Sequence, residues 1–181
     1  NQRTATGELR TLRLEDGTLL SLNTHTAVDI DYAGAQRVIV LHQGEISVET
    51  GHQDSRPLLV RTEDGRLRPL GTCFLVRREA GGTRLEVLQA SVAAMPHNSG
   101  DEHVLREGQQ VLMNANGLGQ VGTVPAGADA WTRGMLVVDN VRLGDLLAAL
   151  GQYRSGYLGV DARVANLRVT GSFPLTDTDL A

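Results

Sequence analysis

Aromatic residues are nearly missing: Phe, Tyr and Trp make up 3% of the 181 residues. Any core must therefore rest on Leu and Val. Cysteine occurs once, as Cys73, so an intrachain disulfide is excluded and cysteine usage leaves the compartment open. The thiol suits a small core residue. Proline is scarce, at 5, against 21 glycines, a balance that favours tight turns and β structure. The net charge is -4 and no Lys/Arg cluster exists, which removes nucleic acid and anionic bilayers as partners. Hydrophobic residues reach 41%, enough for a core, yet no apolar run has membrane length. There is no leader or lipidation motif and the chain opens on Asn1, so an excised fragment is expected.

What is present is alternation. Leu12 and Leu14 flank Arg13 before Asp16-Gly17, and Leu20 and Leu22 flank Ser21 after it, predicting a hairpin. Val28, Ile30 and Tyr32 alternate with Asp29 and Asp31, a strand with one wet face, and Ala33-Gly34-Ala35 breaks it. Strands follow at 37–42 and around Ile46 and Val48. The run Arg56 to Val76 joins two strand-like segments through Glu63-Asp64-Gly65. Its second half reads as an interior strand, with Leu70, Thr72, Phe74 and Val76 on one side and Gly71, Cys73 and Leu75 on the other. Gly71 leaves a bare face there, where a backbone or a ring can approach.

Gly81-Gly82 turns the chain into Thr83 to Val92, residues 96–103 form a polar loop, and Val104 to Met113 and Leu118 to Val124 give two more strands. About ten short strands are thus expected before any helix. Pro125 to Ala130 reads as a linker. After it come a strand at 135–138 and a helix whose Leu143, Leu146, Leu147 and Leu150 share one face, with Gly151 weakening its end. Strands are expected at Tyr157 to Asp161 and Leu167 to Phe173, then a helix cap within Thr176 to Leu180. The fold class is therefore mainly β: an all-β domain over 1–124, a linker over 125–133, and a small βαβ unit over 134–181 that looks cut short.

No conventional active site assembles. Histidines 25, 42, 52, 97 and 103 are scattered, and no metal-ligand spacing, nucleophile elbow or phosphate loop occurs. No metal or other cofactor is expected. Asp29 and Asp31 fit a solvated strand face better than a paired-carboxylate glycosidase.

In their order and spacing the motifs resemble the FecR-type periplasmic regulators of bacterial cell-surface signalling. They run through Gly7-Glu8, Leu14-x-Asp16-Gly17-Thr18 and Leu22-Asn23, then Arg37-x-x-x-Leu41, Gly44-Glu45, Arg56-Pro57 with Val60 and Thr62, Leu70-Gly71-Thr72-x-Phe74-x-Val76, and Val87 with Val92. Ala130-Trp131-x-x-Gly134 and Leu143 with Tyr153 extend the likeness past the linker. Leu58 and Gln152 depart from it, standing where Phe and Arg are usual. The tail resembles a secretin-and-TonB short N-terminal (STN) domain.

The resemblance implies a periplasmic sensor anchored in the inner membrane by a transmembrane helix outside this chain. It would bind the signalling domain of a TonB-dependent siderophore receptor. Through regulated proteolysis by periplasmic and intramembrane proteases it would control an extracytoplasmic-function (ECF) sigma factor, held by a cytoplasmic segment also outside this chain. Tyr153, Arg154 and Tyr157 are the expected partner anchors, since Tyr and Arg are enriched at binding hot spots; packing of Tyr153 onto its own sheet is the alternative account of that residue. Some relatives cleave themselves between Gly and Thr in this motif, which makes Gly71-Thr72 a candidate cleavage point, with the Thr hydroxyl attacking the preceding carbonyl. The competing class is an all-β carbohydrate-binding or hydrolytic module, for which the chain offers Trp131 alone, placed at the domain junction.

Overall fold

Residues 10–22 form the hairpin that their alternation predicts. Its turn is closed by Leu14 N–H on the Thr18 carbonyl (2.8 Å), and the Asp16 carboxylate accepts from the Thr18 amide (3.0 Å) and hydroxyl (2.8 Å). Leu20 and Leu22 are fully buried while Ser21, between them, faces the other way. The structure is a computed structural model and describes residues 1–176.

Fifteen strands come first: β1 (Gln2–Arg3), β2 (Arg10–Arg13), β3 (Leu19–Leu22), β4 (Ala27–Asp31), β5 (Arg37–Gln43), β6 (Glu45–Glu49), β7 (Leu58–Thr62), β8 (Gly65–Pro69), β9 (Cys73–Glu79), β10 (Gly82–Gln89), β11 (Ser91–Pro96), β12 (His103–Arg106), β13 (Gln109–Asn114), β14 (Gly117–Leu118) and β15 (Gly122–Thr123). A 3-10 turn, Ala130–Arg133, then leads into β16 (Met135–Arg142), α1 (Leu143–Gly151) and β17 (Arg168–Pro174).

The first fifteen strands make two sheets, seven-stranded in the order β1-β4-β5-β7-β8-β11-β12 and eight-stranded with the path β14-β13-β10-β9-β6-β3-β2, β15 pairing with β13 off that path. Leu20, Ile46, Phe74 and Leu85 from the second sheet meet Val28, Ile39, Val60 and Val92 from the first in one core. Each such side chain, removed from water, stabilises the sandwich by about 1.5–3 kcal/mol. Most neighbouring strands are antiparallel, but β5 and β7 are parallel, Arg37 opposite Leu58. The chain reaches that pairing by crossing to the other sheet through β6.

Several expectations need correction. The segment 65–76 is two strands, not one: β8 ends in the seven-stranded sheet, and the chain crosses at Leu70-Gly71-Thr72 to enter the eight-stranded sheet as β9. Gly71 sits at this exposed corner with φ of 69°, and a Cβ added there would meet only the His52 ring, at 3.8 Å. A left-handed turn, not a close approach inside a strand, is its reason for being glycine. Val104 to Met113 is likewise divided, by Glu107-Gly108, into β12 and β13 in different sheets. No strand forms at 157–161: among the described residues no strand pairs with it, and Leu158 of that run packs on the second core. The helix cap expected within 176–180 lies outside the described residues, Thr176 apart.

The fold is mainly β with a small α+β tail. In the tail β16 and β17 pair antiparallel, Met135 opposite Pro174, and α1 lies against them. Leu146 and Leu150 of α1 are buried with Trp131 and Leu175, and Leu143 and Leu147 pack at the edge, as their shared face predicts. The residue that closes this second core comes from the sandwich. Leu75 of β9 is 1% exposed and belongs to the tail's cluster, whereas its neighbours Phe74 and Val76 point into the sandwich. The tail therefore covers the outer face of the eight-stranded sheet.

Candidate functional site

Between the tail and that face a groove of about 1020 Å³ remains, lined from both sides. Its floor follows from strand register. Glu45 of β6 stands opposite Arg77 of β9, and Arg77 opposite Arg84 of β10, so the three share one row across the sheet; Glu86 lies in the next row, opposite Leu75. Two arginines side by side repel. Glu79 answers both, accepting from Arg84 Nε (2.9 Å) and from Arg77 Nη2 (3.1 Å).

Glu45 and Glu86 are the most enclosed of these groups, at 8% and 5% exposure. Glu45 Oε2 accepts from Asn23 Nδ2 (2.9 Å), and Glu45 Oε1 lies 3.9 Å from Arg77 Nη1. Burial pushes the Glu45 carboxyl up to about 7, with Arg77 and Asn23 opposing that rise and the nearby Glu86 adding to it. Burial raises Glu86 too, against Arg77 and Arg84.

Across the groove stand Trp131 and Tyr153. The Trp131 indole N–H faces the Glu45 carboxylate and favours its charged form slightly, but forms no hydrogen bond of normal geometry among the described residues. The Tyr153 hydroxyl is pushed up to about 12, mainly by burial. A direct tie crosses the joint where Thr24 Oγ1 donates to the Gln152 carbonyl (3.1 Å).

The expected anchors do not gather in one place. Tyr153 lines the groove, half-buried and packed on the tail's core. Arg154, also half-buried, does not line it, and Tyr157 stands 92% exposed on the segment after α1. Gly71 and Thr72 lie at the sheet-crossing corner. The Thr72 hydroxyl donates to the Gln89 carbonyl (2.5 Å) and, more weakly, to that of Cys73 (3.3 Å), and the Thr72 amide donates to Thr50 Oγ1 (2.8 Å). Neither carbonyl can take up the hydroxyl proton as a base. Among the described residues no three His, Cys, Asp or Glu side chains are grouped to hold a metal.

The charged cluster at 45, 77, 79, 84 and 86 escapes the sequence reading. Its only trace is that Glu45 and Arg77 share the parity of residues facing away from the sandwich core, which reads as a wet face unless a second layer is known to cover it.

Residues 1–93 match the family model described as FecR protein. The chain belongs to the FecR family. That membership makes it a regulator, and the motifs of the FecR region now have positions: Asp16, Arg37 and Arg56 at one end of the sandwich, Gly71-Thr72 at its corner. Two crystal structures of a candidate anti-sigma factor from Parabacteroides distasonis, at 1.65 and 2.50 Å, share the fold. Each is 19% identical, with TM-scores of 0.76 and 0.75, covering 98% of this chain and 86% and 85% of theirs. The fold of the FecR region and its tail is thus common to both proteins along nearly the whole chain. No curated protein matches.

Proposed function

We propose that this chain is the periplasmic sensing region of a transmembrane regulator of an ECF sigma factor. It binds the signalling domain of a TonB-dependent siderophore receptor in the outer membrane and passes the signal inward through regulated proteolysis. In this reading residues 1–124 are the FecR-type domain, 125–133 the linker and 134–181 an STN-like domain. Membership of the FecR family carries the proposal. The βαβ order of the tail supports the STN reading, and the outer edges of its two-stranded sheet offer backbone donors and acceptors to an added strand. The sugar-binding alternative gains nothing from Trp131, which is 5% exposed and presents no open ring face.

Calorimetric titration of this chain with the isolated signalling domain of the candidate cognate receptor tests the proposal. Saturable one-to-one binding is the expected result. Heat of dilution alone, with both proteins folded and each candidate receptor tried, would sink it.

A further inference from the structure

We propose that Glu45 is a proton-operated latch between the two cores: the tail seats more tightly on the sandwich when this carboxyl is protonated and loosens when it ionises. A side chain on the outer face of a sheet ordinarily meets water. Glu45 is only 8% exposed, because Trp131 and Tyr153 of the tail line the same groove beside it.

The surroundings suit a neutral carboxyl better than a charged one. A carboxylate can accept about four hydrogen bonds, but among the described residues Glu45 receives one of normal geometry on its side chain, from Asn23, and the Trp131 indole N–H faces it without completing a second. Arg77 is the facing cation, at 3.9 Å, and it is shared with Glu79 on its own strand. Arg84 and Glu86 face the groove from β10, His25 from the turn after β3, and Tyr153 from the tail. Three acids thus compete for two arginines in a partly dry space. The rise of Glu45 to about 7 follows from that enclosure.

Lifting the tail readmits water and returns the carboxyl toward its ordinary value of about 4.3. The seated form is then the better proton binder. This contribution to docking is complete below the ordinary value and is lost as pH rises through about 7. Between pH 5.5 and 8.5 the docking equilibrium changes by at most about 30-fold from this one group.

Trp131 is the single tryptophan, so its emission reports on the joint. Urea titrations of the whole chain, followed by that emission, give the equilibrium constant for exposing the indole at each pH. In the wild type this constant is expected to rise by up to about 30-fold from pH 5.5 to 8.5, and in Glu45→Gln most of that rise should vanish. An equal rise in both proteins overturns the latch, as does a pH-independent wild type. If Glu45→Gln does not fold, His25→Gln decides: a surviving rise supports the carboxyl, and a lost one assigns the effect to the imidazole and overturns the proposal. No receptor enters the measurement, so its outcome is independent of the sensing function.

Discussion

Arg37 holds Asp16 at one end of the sandwich, Nη1 donating to Oδ2, with both side chains buried. Asp16 belongs to the turn of the hairpin β2-β3 in one sheet, and Arg37 begins β5 in the other. Arg37 Nε also donates to the Arg56 carbonyl (2.8 Å), and the Arg56 guanidinium reaches the carbonyls of Tyr32 (2.6 Å) and Gly34 (2.8 Å). Three residues that carry the family likeness are therefore one network that fastens the two sheets together.

Breaking a buried pair by removing one partner typically costs about 3–5 kcal/mol. Asp16→Asn should lose stability on that scale in urea unfolding at pH 7. Burial raises the Asp16 carboxyl, but the Thr18 amide and hydroxyl and Arg37 outweigh it and hold it below its ordinary value. Its contribution is thus present above about pH 4 and lost as pH falls through the folded value. Acid unfolding of Asp16→Asn should accordingly be flatter; an unchanged acid limb would show that other carboxylates set it.

Leu75 and Phe74 are adjacent and buried in different cores. Leu75→Ala should cost about 2–5 kcal/mol, shift Trp131 emission to longer wavelength, and leave the sandwich folded by circular dichroism. Phe74→Ala, at a comparable cost, should lower the main unfolding transition instead. Identical responses would mean that the cores do not separate.

Two glycines distinguish conformation from space. Gly71→Ala meets only the left-handed backbone, with room for the methyl group, and should cost about 1–2 kcal/mol. At Gly44 the added Cβ would lie 2.3 Å from Thr26 Oγ1 and 2.6 Å from Thr26 Cα, so Gly44→Ala should be far more damaging. Thermal denaturation ranks them, and equal losses would refute the distinction.

Tyr153→Ala and Tyr157→Ala should part company in the receptor titration. Removing the exposed Tyr157 leaves the fold intact and, if it is a hot spot, weakens binding by at least about 30-fold. Tyr153→Ala should instead destabilise the tail, since its ring packs on the second core. Full affinity in Tyr157→Ala would remove it from the docking surface.

The Thr72 hydroxyl proton is committed to the Gln89 carbonyl, and Gly71 adopts a conformation that glycine accepts without strain. Purified protein is therefore expected to show one full-length mass on prolonged incubation. Two fragments ending at Gly71 and beginning at Thr72, absent from Thr72→Ala, would contradict this.

Period-two alternation made the hairpin at 10–22 and the strands around Ile30, Ile46 and Val87 legible, because each buries one side against a core. The spacing of Leu143, Leu146, Leu147 and Leu150 did the same for α1. The sheet crossing at Gly71 was not legible, since alternation reads the same on either side of a corner that only backbone angles reveal. The parallel pairing of β5 with β7 involves distant segments and leaves no local mark. Tyr157 to Asp161 shows the converse: alternation without a neighbouring strand makes no ladder. For the charged cluster of the groove the missing knowledge was that another layer covers Glu45 and Arg77.

β9 belongs to both cores while hydrogen-bonded to β6 on one side and β10 on the other. A pull transmitted through the tail would therefore arrive at Leu75, in the middle of a strand braced on both flanks. The side chains of the second core carry no such ladder across the joint, so a pull on the tail is expected to part that core before it shears β9 from its neighbours, which would make the tail a handle on the sandwich.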